Sequence, residues 1–293
     1  MDVNLSIIVP VYNRPDEIKE LLESLTKQDF KGDFEVVIVE DGSTLSAEKE
    51  MNSFQDKLDI SYYFKANSGP GDSRNFGMKK AKGNYFIILD SDCILPLQYL
   101  SEIYWELNRE FVHCFGGPDA ADQSFTIVQK AINYAMTSFF TTGGIRGGKT
   151  AIGKFQPRSF NMGISKVAFE KVGGFGRIHP GEDPDLTFRI WKGGFASRLF
   201  PKAYVYHKRR IDWNKFYVQV NKFGMVRPIL NKWHPETAKL TYWFPTAFIT
   251  GLLASVLLMV FGYFVPIALY GAYFLVLFVD ALLKNGNPVV ALL

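Results

Sequence analysis

Cysteine is nearly missing from this chain: Cys93 and Cys114 are the only two in 293 residues. Two thiols at this length make no disulfide framework, so a bridge-stapled scaffold is excluded and both read as reduced, packed side chains. A strong excess of one charge is missing too. The formal net charge of +4 is too small to imply a nucleic-acid surface, and no nucleic-acid partner is expected. The opening Met1-Asp2-Val3-Asn4 has no basic stretch and apolar core of a cleavable signal, so this part of the chain is expected to remain in the cytoplasm. No internal repeat is visible. Long apolar runs are absent from the first 243 residues.

What the first half has is alternation. The runs Leu5–Val9, Phe34–Val39, Ile60–Phe64 and Tyr85–Leu89 read as strands. Between and after them, residues 15–28, 46–58, 71–82 and 97–110 read as helices, the first with Ile18, Leu21, Leu22 and Leu25 on one face. Strand–helix alternation predicts an α/β domain: a mostly parallel, Rossmann-like sheet flanked by helices. Ligands of such sheets sit beyond the carboxyl ends of the strands. The polar clusters Tyr12-Asn13, Glu40-Asp41 and Asp90-Ser91-Asp92 fall at those ends. Residues 115–155, rich in Gly, Thr and aromatics, read as a helix plus a mobile loop that closes as a lid.

The apolar excess is concentrated late. Phe244–Phe264 carries no charge and is long enough to span a bilayer; Pro266 breaks it, and Ile267–Leu283 follows with one late carboxylate, Asp280. The pair is expected to form a transmembrane helical hairpin. Before it, Lys202, Lys208, Arg209, Arg210, Lys215, Lys222, Arg227 and Lys232 face only Asp212 and Glu236, which places that flank on the cytoplasmic side of the membrane. The expected organisation is a domain over residues 1–210, a basic juxtamembrane stretch over 211–243, and a hairpin and tail over 244–293.

Several residues carry candidate chemistry. Asp90 and Asp92, one residue apart after a buried strand, can share a hard divalent cation, Mn²⁺ or Mg²⁺, or form a solvated turn. Asp41 can accept the N3–H of a uracil ring or serve as a turn or cap residue. Asn67 to Gly77 is a glycine-rich turn opening a helix, where Arg74 and the helix start favour anions. It is no P-loop, since no Gly-Lys-Ser/Thr follows, and its glycine spacing is not that of a dinucleotide fingerprint. Glu182 and Asp183 read as caps or as a general base. His207 reads as a satisfied histidine or as a third metal ligand or phosphate contact.

Together these pieces resemble the family 2 glycosyltransferases, inverting enzymes of the GT-A fold. The resemblance runs in order from about residue 5 to 210. It rests on Ser6-Ile7-Ile8-Val9-Pro10-Val11-Tyr12-Asn13-Arg14, Glu40-Asp41-Gly42-Ser43-Thr44, Asn67 to Gly77, Asp90-Ser91-Asp92, Asn161-Met162-Gly163, Val172-Gly173-Gly174-Phe175 and Gly181-Glu182-Asp183-Pro184-Asp185-Leu186. It implies a donor site formed by Pro10, Tyr12, Asn13, Asp41, Asn67, Gly69, Arg74, Asp90 and Ser91. It also implies an acceptor-side block that includes Asn161, a cation on Asp92 and Asp90, and Asp183 as base with Glu182 as its rival. Processive synthases of this family carry Gln-x-x-Arg-Trp. Gln219-Val220-Asn221-Lys222-Phe223 departs from it, so a single addition is expected. Phe223-Gly224-Met225-Val226-Arg227, His234-Pro235 and the C-terminal spans resemble the subgroup that builds exopolysaccharide repeat units on a lipid carrier. The resemblance therefore implies a UDP-sugar donor and a lipid-linked glycan acceptor at the cytoplasmic membrane. A polyprenyl phosphate acceptor and a non-catalytic membrane assembly subunit are the alternatives.

Overall fold

The computed structural model describes residues 3–120, 126–142, 155–207 and 212–293, without the side chains of Thr142 and His207. In chain order, β1 (Leu5–Val11), α1 (Pro15–Leu25), β2 (Phe34–Asp41), α2 (Glu48–Asn52), β3 (Asp59–Lys65), α3 (Pro70–Lys80) and β4 (Tyr85–Leu89) come first. There follow β5 (Cys93–Ile94), α4 (Tyr99–Arg109), β6 (Cys114–Gly116), β7 (Asp119–Ala120), α5 (Ile127–Thr137), α6 (Phe139–Thr142), β8 (Asn161–Ser165) and α7 (Lys166–Val172). The last are α8 (Glu182–Lys192), β9 (Ser197–Leu199), β10 (Val205–His207), α9 (Trp213–Trp233), α10 (Phe244–Val260), α11 (Val265–Asn285) and α12 (Pro288–Leu292). The chain packs as two units: Met1–Ser124 with Gly147–Arg210, and Phe125–Arg146 with Ile211–Leu293.

The first unit is built on a seven-stranded sheet in the order β3-β2-β1-β4-β8-β6-β9. The first four of these strands are parallel, with Leu5 beside both Phe34 and Tyr85. Their apolar runs are buried on both faces because helices cover both. Ile7, Val9, Val36, Ile38, Ile87 and Leu89 pack with α1 and α4 on one side. Ile8, Val37, Val39, Phe86 and Ile88 pack with α3, α7 and α8 on the other. Gly77 is what lets α3 lie so close: a Cβ there would stand 2.6 Å from the Ile8 side chain. The expected α/β architecture is thus present, with one element the alternation did not announce. β8 runs antiparallel to both β4 and β6, which sets Asn161 opposite Leu89 at the carboxyl edge of the parallel strands. A small second sheet, β5-β10-β7, pairs the backbone of His207 with Cys93; the His207 side chain lies outside the described residues.

The helix expected over 46–58 shortens to Glu48–Asn52. Ser53 ends it by bonding its own hydroxyl to the Glu50 carbonyl at 2.6 Å, and the chain continues in turns around Phe54.

The second unit gathers α5, α6 and α9 to α12. Leu240–Val260 and Val265–Asn285 are long and apolar enough to cross a membrane, with mean hydropathies of 1.9 and 2.0, and only 6% of each is buried. Buried core helices of a soluble protein would show the reverse. Pro266 stands in the first turn of α11, where its missing N–H costs nothing, and so begins the second helix. Asp280 on α11 accepts from Tyr134 at 2.7 Å, Lys284 at 2.8 Å and Ser138 at 3.3 Å, which ties α5 to α11. Residues 126–142, expected within the 1–210 domain, thus cluster with the C-terminal helices. Of the stretch read as a lid, 126–142 is helical and so placed, and 143–154 lies outside the described residues.

Candidate active site

The carboxyl ends of β1 and β2 are joined by side chains that mimic backbone. Asn13, held at φ 54°, accepts through its Oδ1 from the Thr44 and Leu45 amides at 2.8 and 2.9 Å, while its own N–H donates to Ser43 Oγ at 2.7 Å. Ser43 in turn bonds the buried Glu40 carboxylate, which also accepts from the Ala47 amide at 2.9 Å. Asn13 is therefore a fastener of the loop. Pro10 sits half-buried one step back on β1, and Tyr12 projects into solvent, 52% exposed, leaving its ring face available for stacking.

Asp41 ends β2 almost completely buried. Its carboxylate accepts from Lys65 Nζ at 2.5 Å, the Ser68 amide at 2.9 Å and the Gly69 amide at 2.9 Å. Burial pushes its pKa up, but the bonds from Lys65 and the Ser68 amide and the nearby Lys65 charge outweigh it and hold the group below the usual carboxylate range. Asn67 donates to the Asp41 carbonyl at 2.8 Å. Gly42, at φ 71°, is required by that contact, since a Cβ there would lie 2.6 Å from the Asn67 nitrogen. Gly69 takes φ 93° just before Pro70 opens α3. Three of the roughly four acceptor positions of Asp41 are thus filled, leaving room for about one more donor.

Arg74, one turn into α3, joins the two sides of the site. It is nearly buried against the Phe175 ring. Nη2 donates to Asp90 Oδ1 at 2.7 Å and Nη1 lies 3.6 Å from Glu182 Oε1. Burial works against its charge, and Asp90, Asp183 and Glu182 more than restore it. Asp92, two residues beyond Asp90, is paired with Arg14 Nη1 at 3.0 Å, and Ser91 between them is buried.

Glu182 and Asp183 begin α8 after Gly181, whose φ of 114° turns the chain into the helix. Their environments diverge. Glu182 is opposed by burial but meets His179 at 3.0 Å and Arg74, and its pKa is lowered. Asp183 is raised, first by burial and then by the Glu182 charge, against the pull of Arg74 and Arg158. Its Oδ1 is buried and accepts no hydrogen bond among the described residues. A carboxylate of raised proton affinity with a spare buried oxygen is the one of the two suited to general-base work.

Asn161, expected on the acceptor side, lies in the core. It is fully buried; its Oδ1 accepts from Tyr99 at 2.7 Å and its Nδ2 donates to the Ala203 carbonyl at 2.8 Å. Each end of the amide thus fastens β8, and no atom of it reaches the surface. Lys65 and His179, in turn, stand in the site although nothing in their local sequence marked them, and Arg14, quoted only as the end of the first motif, stands there too. Their partners are distant in the chain or depend on a turn geometry that no spacing discloses.

The donor set suits a divalent cation. Asp90 and Asp92 offer hard oxygens at one strand end, and among the described residues no cluster of three or more His, Cys, Asp or Glu forms. One or two carboxylates are what Mg²⁺-like ions take when substrate phosphates complete their shell, so the residues present fit.

This sheet, with its carboxylates at the carboxyl edge, defines a GT-A fold, and the family description glycosyl transferase family 2 matches residues 6–173, more than half of the chain. The chain belongs to glycosyl transferase family 2. It is 43% identical over 103 residues to the poly(ribitol-phosphate) beta-N-acetylglucosaminyltransferase TarS of Staphylococcus aureus, covering 34% of this chain and 18% of that protein. It is 32% identical over 115 residues to the GalNAc(5)-diNAcBac-PP-undecaprenol beta-1,3-glucosyltransferase of Campylobacter jejuni, covering 38% and 37%. The alignments thus span well under two thirds of these relatives. Among solved structures, S. aureus TarS in complex with UDP-GlcNAc superposes with a TM-score of 0.56 at 21% identity, over 82% of this chain and 75% of that one. A mannosyltransferase from Pyrobaculum calidifontis in complex with GDP-Man and Mn²⁺ gives a TM-score of 0.61 at 16% identity, over 100% and 79%.

Proposed function

We propose that this chain is an inverting glycosyltransferase that moves a sugar from a UDP-sugar to a hydroxyl of a lipid-linked glycan in cell-surface polysaccharide synthesis. The observation that carries the reading is the position of Arg74, which bonds the donor-side carboxylate Asp90 and faces the acceptor-side pair Glu182 and Asp183. One guanidinium thus holds both halves of a transfer site together. Tyr12 stacks on the base and the remaining acceptor position of Asp41 takes its ring N–H. Asp90 and Asp92 hold a divalent cation, which when bound neutralises charge on the diphosphate leaving group. Asp183 accepts the proton of the acceptor hydroxyl as that oxygen bonds to the anomeric carbon. The bond from that carbon to the diphosphate oxygen breaks on the opposite face, which inverts the configuration. Glu182 stays ionised and steadies Arg74.

The base in this position favours a hydroxyl acceptor over a polyprenyl phosphate, which attacks without surrendering a proton. The intact set of carboxylates argues against a non-catalytic subunit. The first unit is read as catalytic. In the second, α10 and α11 cross the bilayer and the basic flank before them keeps the catalytic unit on the cytoplasmic side.

Consumption of a panel of nucleotide sugars by detergent-purified full-length protein tests this, with Mn²⁺, Mg²⁺ or EDTA. Metal-dependent turnover of one UDP-sugar is expected. Failure to bind any nucleotide with either ion overturns it.

A further inference from the structure

The two carboxylates proposed for the cation are each held by an arginine, and the two arginines are unlike. Arg74 is rigid: its side chain is 5% exposed, rises from a helix, lies against the Phe175 ring and faces three acidic groups. Arg14 is not. Its side chain is 45% exposed on the loop between β1 and α1, and one nitrogen reaches Asp92 at 3.0 Å while Nε stands 3.5 Å from Glu17. The Asp92 side chain, by contrast, is only 14% exposed. Among the described residues it is paired with a long, half-solvated side chain that can rotate away with little loss of packing.

We infer that Arg14 is a gate on Asp92: it occupies the carboxylate while the donor is absent and transfers to the donor diphosphate when cation and nucleotide arrive together. The inference rests on the proposed cation site. Arg14 positions and does not touch the reacting carbon. With Arg14 on Asp92, a lone divalent ion meets an ion pair and one carboxylate already bonded to Arg74, and its binding is weak. A nucleoside diphosphate supplies both the missing oxygen ligands and a new, bidentate partner for the guanidinium. Release of Asp92 then costs little. Cation and donor consequently bind as a unit, and their coupling is reciprocal.

Titration of full-length protein in detergent with Mn²⁺, followed by the loss of the free-ion electron paramagnetic resonance signal, tests this without turnover. Wild type, Arg14→Gln and Arg14→Lys are each measured alone and with UDP, and in parallel with GDP. Arg14→Gln is expected to bind Mn²⁺ alone about threefold to fivefold more tightly, the order of a half-exposed ion pair, and to gain less from nucleotide. Arg14→Lys falls between. Glu17→Gln, which removes the second carboxylate beside Arg14, serves as an independent variant: Arg14 then rests more firmly on Asp92, so Mn²⁺ alone is expected to bind more weakly than to wild type, and unchanged or tighter binding counts against the gate. If Mn²⁺ binds with nucleotide but Arg14→Gln matches wild type in both states, the gate is overturned and the cation site stands. If Mn²⁺ binds neither protein even with nucleotide, the cation site and the gate fall together.

Discussion

The proposed nucleotide side and the proposed acceptor side of this site are built on opposite terms. At the ends of β1 and β2, Asn13, Ser43, Glu40 and Asp41 are laced into backbone amides and one another, and Asp41 is stabilised as an anion. At the start of α8, Asp183 keeps a buried oxygen without a hydrogen bond and is destabilised as an anion. The difference teaches where rigidity and reactivity are placed. Groups that only bind are satisfied before the ligand comes, so ordering costs little on binding. The group proposed to accept a proton has one buried oxygen without a hydrogen bond among the described residues, so its proton affinity is high when the hydroxyl arrives.

The sharpest way to break this comparison is to remove the base and nothing else. Asp183→Asn is expected to lower kcat by about 10²- to 10⁴-fold while nucleotide affinity stays within about twofold, read by single-turnover transfer and nucleotide titration. Equal loss in both would show that Asp183 belongs to the binding side. Asp41→Asn should do the converse: roughly tenfold weaker nucleotide binding with a small change in single-turnover rate at saturating donor.

Asn161→Ala separates scaffold from site. It strands the Tyr99 hydroxyl and the Ala203 carbonyl in the core, which costs about 2–4 kcal/mol in denaturant unfolding. Transfer per folded molecule is expected to survive. A full loss of transfer at unchanged stability would return Asn161 to the substrate.

The subtlest effect is on pH. As the proposed base Asp183 must be deprotonated to act, and its pKa is raised, so kcat/KM is expected to climb as pH rises through a value above the ordinary aspartate range. Replacing Glu182 with Gln removes a neighbouring negative charge that contributes to the raising, so the acid limb of the profile moves to lower pH. Movement the other way would mean that loosened Arg74 dominates. For stability the signs oppose: Asp183 favours the fold when protonated and this is lost as pH rises, whereas Glu182, lowered, contributes above its unfolded pKa and loses that as pH falls through its folded value.

Much of the scaffold was legible in the chain because β-branched runs buried on both faces carry their own signature, as at Val36–Val39 and Ile87–Leu89. β8 was not, because Asn161-Met162-Gly163-Ile164-Ser165 is short and mixed, and its glycine is dictated by Phe115, whose ring stands 2.0 Å from where a Cβ would be. The candidate site was legible as residue types at strand ends. Which of them would be spent internally was not: the amides of Asn13 and Asn161 look alike in sequence, and only packing shows that both serve the fold. The pairing of Arg14 with Asp92, 78 positions apart, likewise follows from β1 and β4 lying side by side.

The bond from Tyr134 to Asp280 has a practical side for anyone preparing a shortened, detergent-free enzyme. Ending the chain at residue 210 removes α11 and α12 and strips α5 of the partners around its buried Ala131, Ile132 and Met136, so that a sticky helix is left in mid-sequence. Such a fragment is expected to precipitate unless residues 125–146 are replaced by a short polar linker, which makes α5 and α6 as much a part of solubility engineering as the two apolar helices themselves.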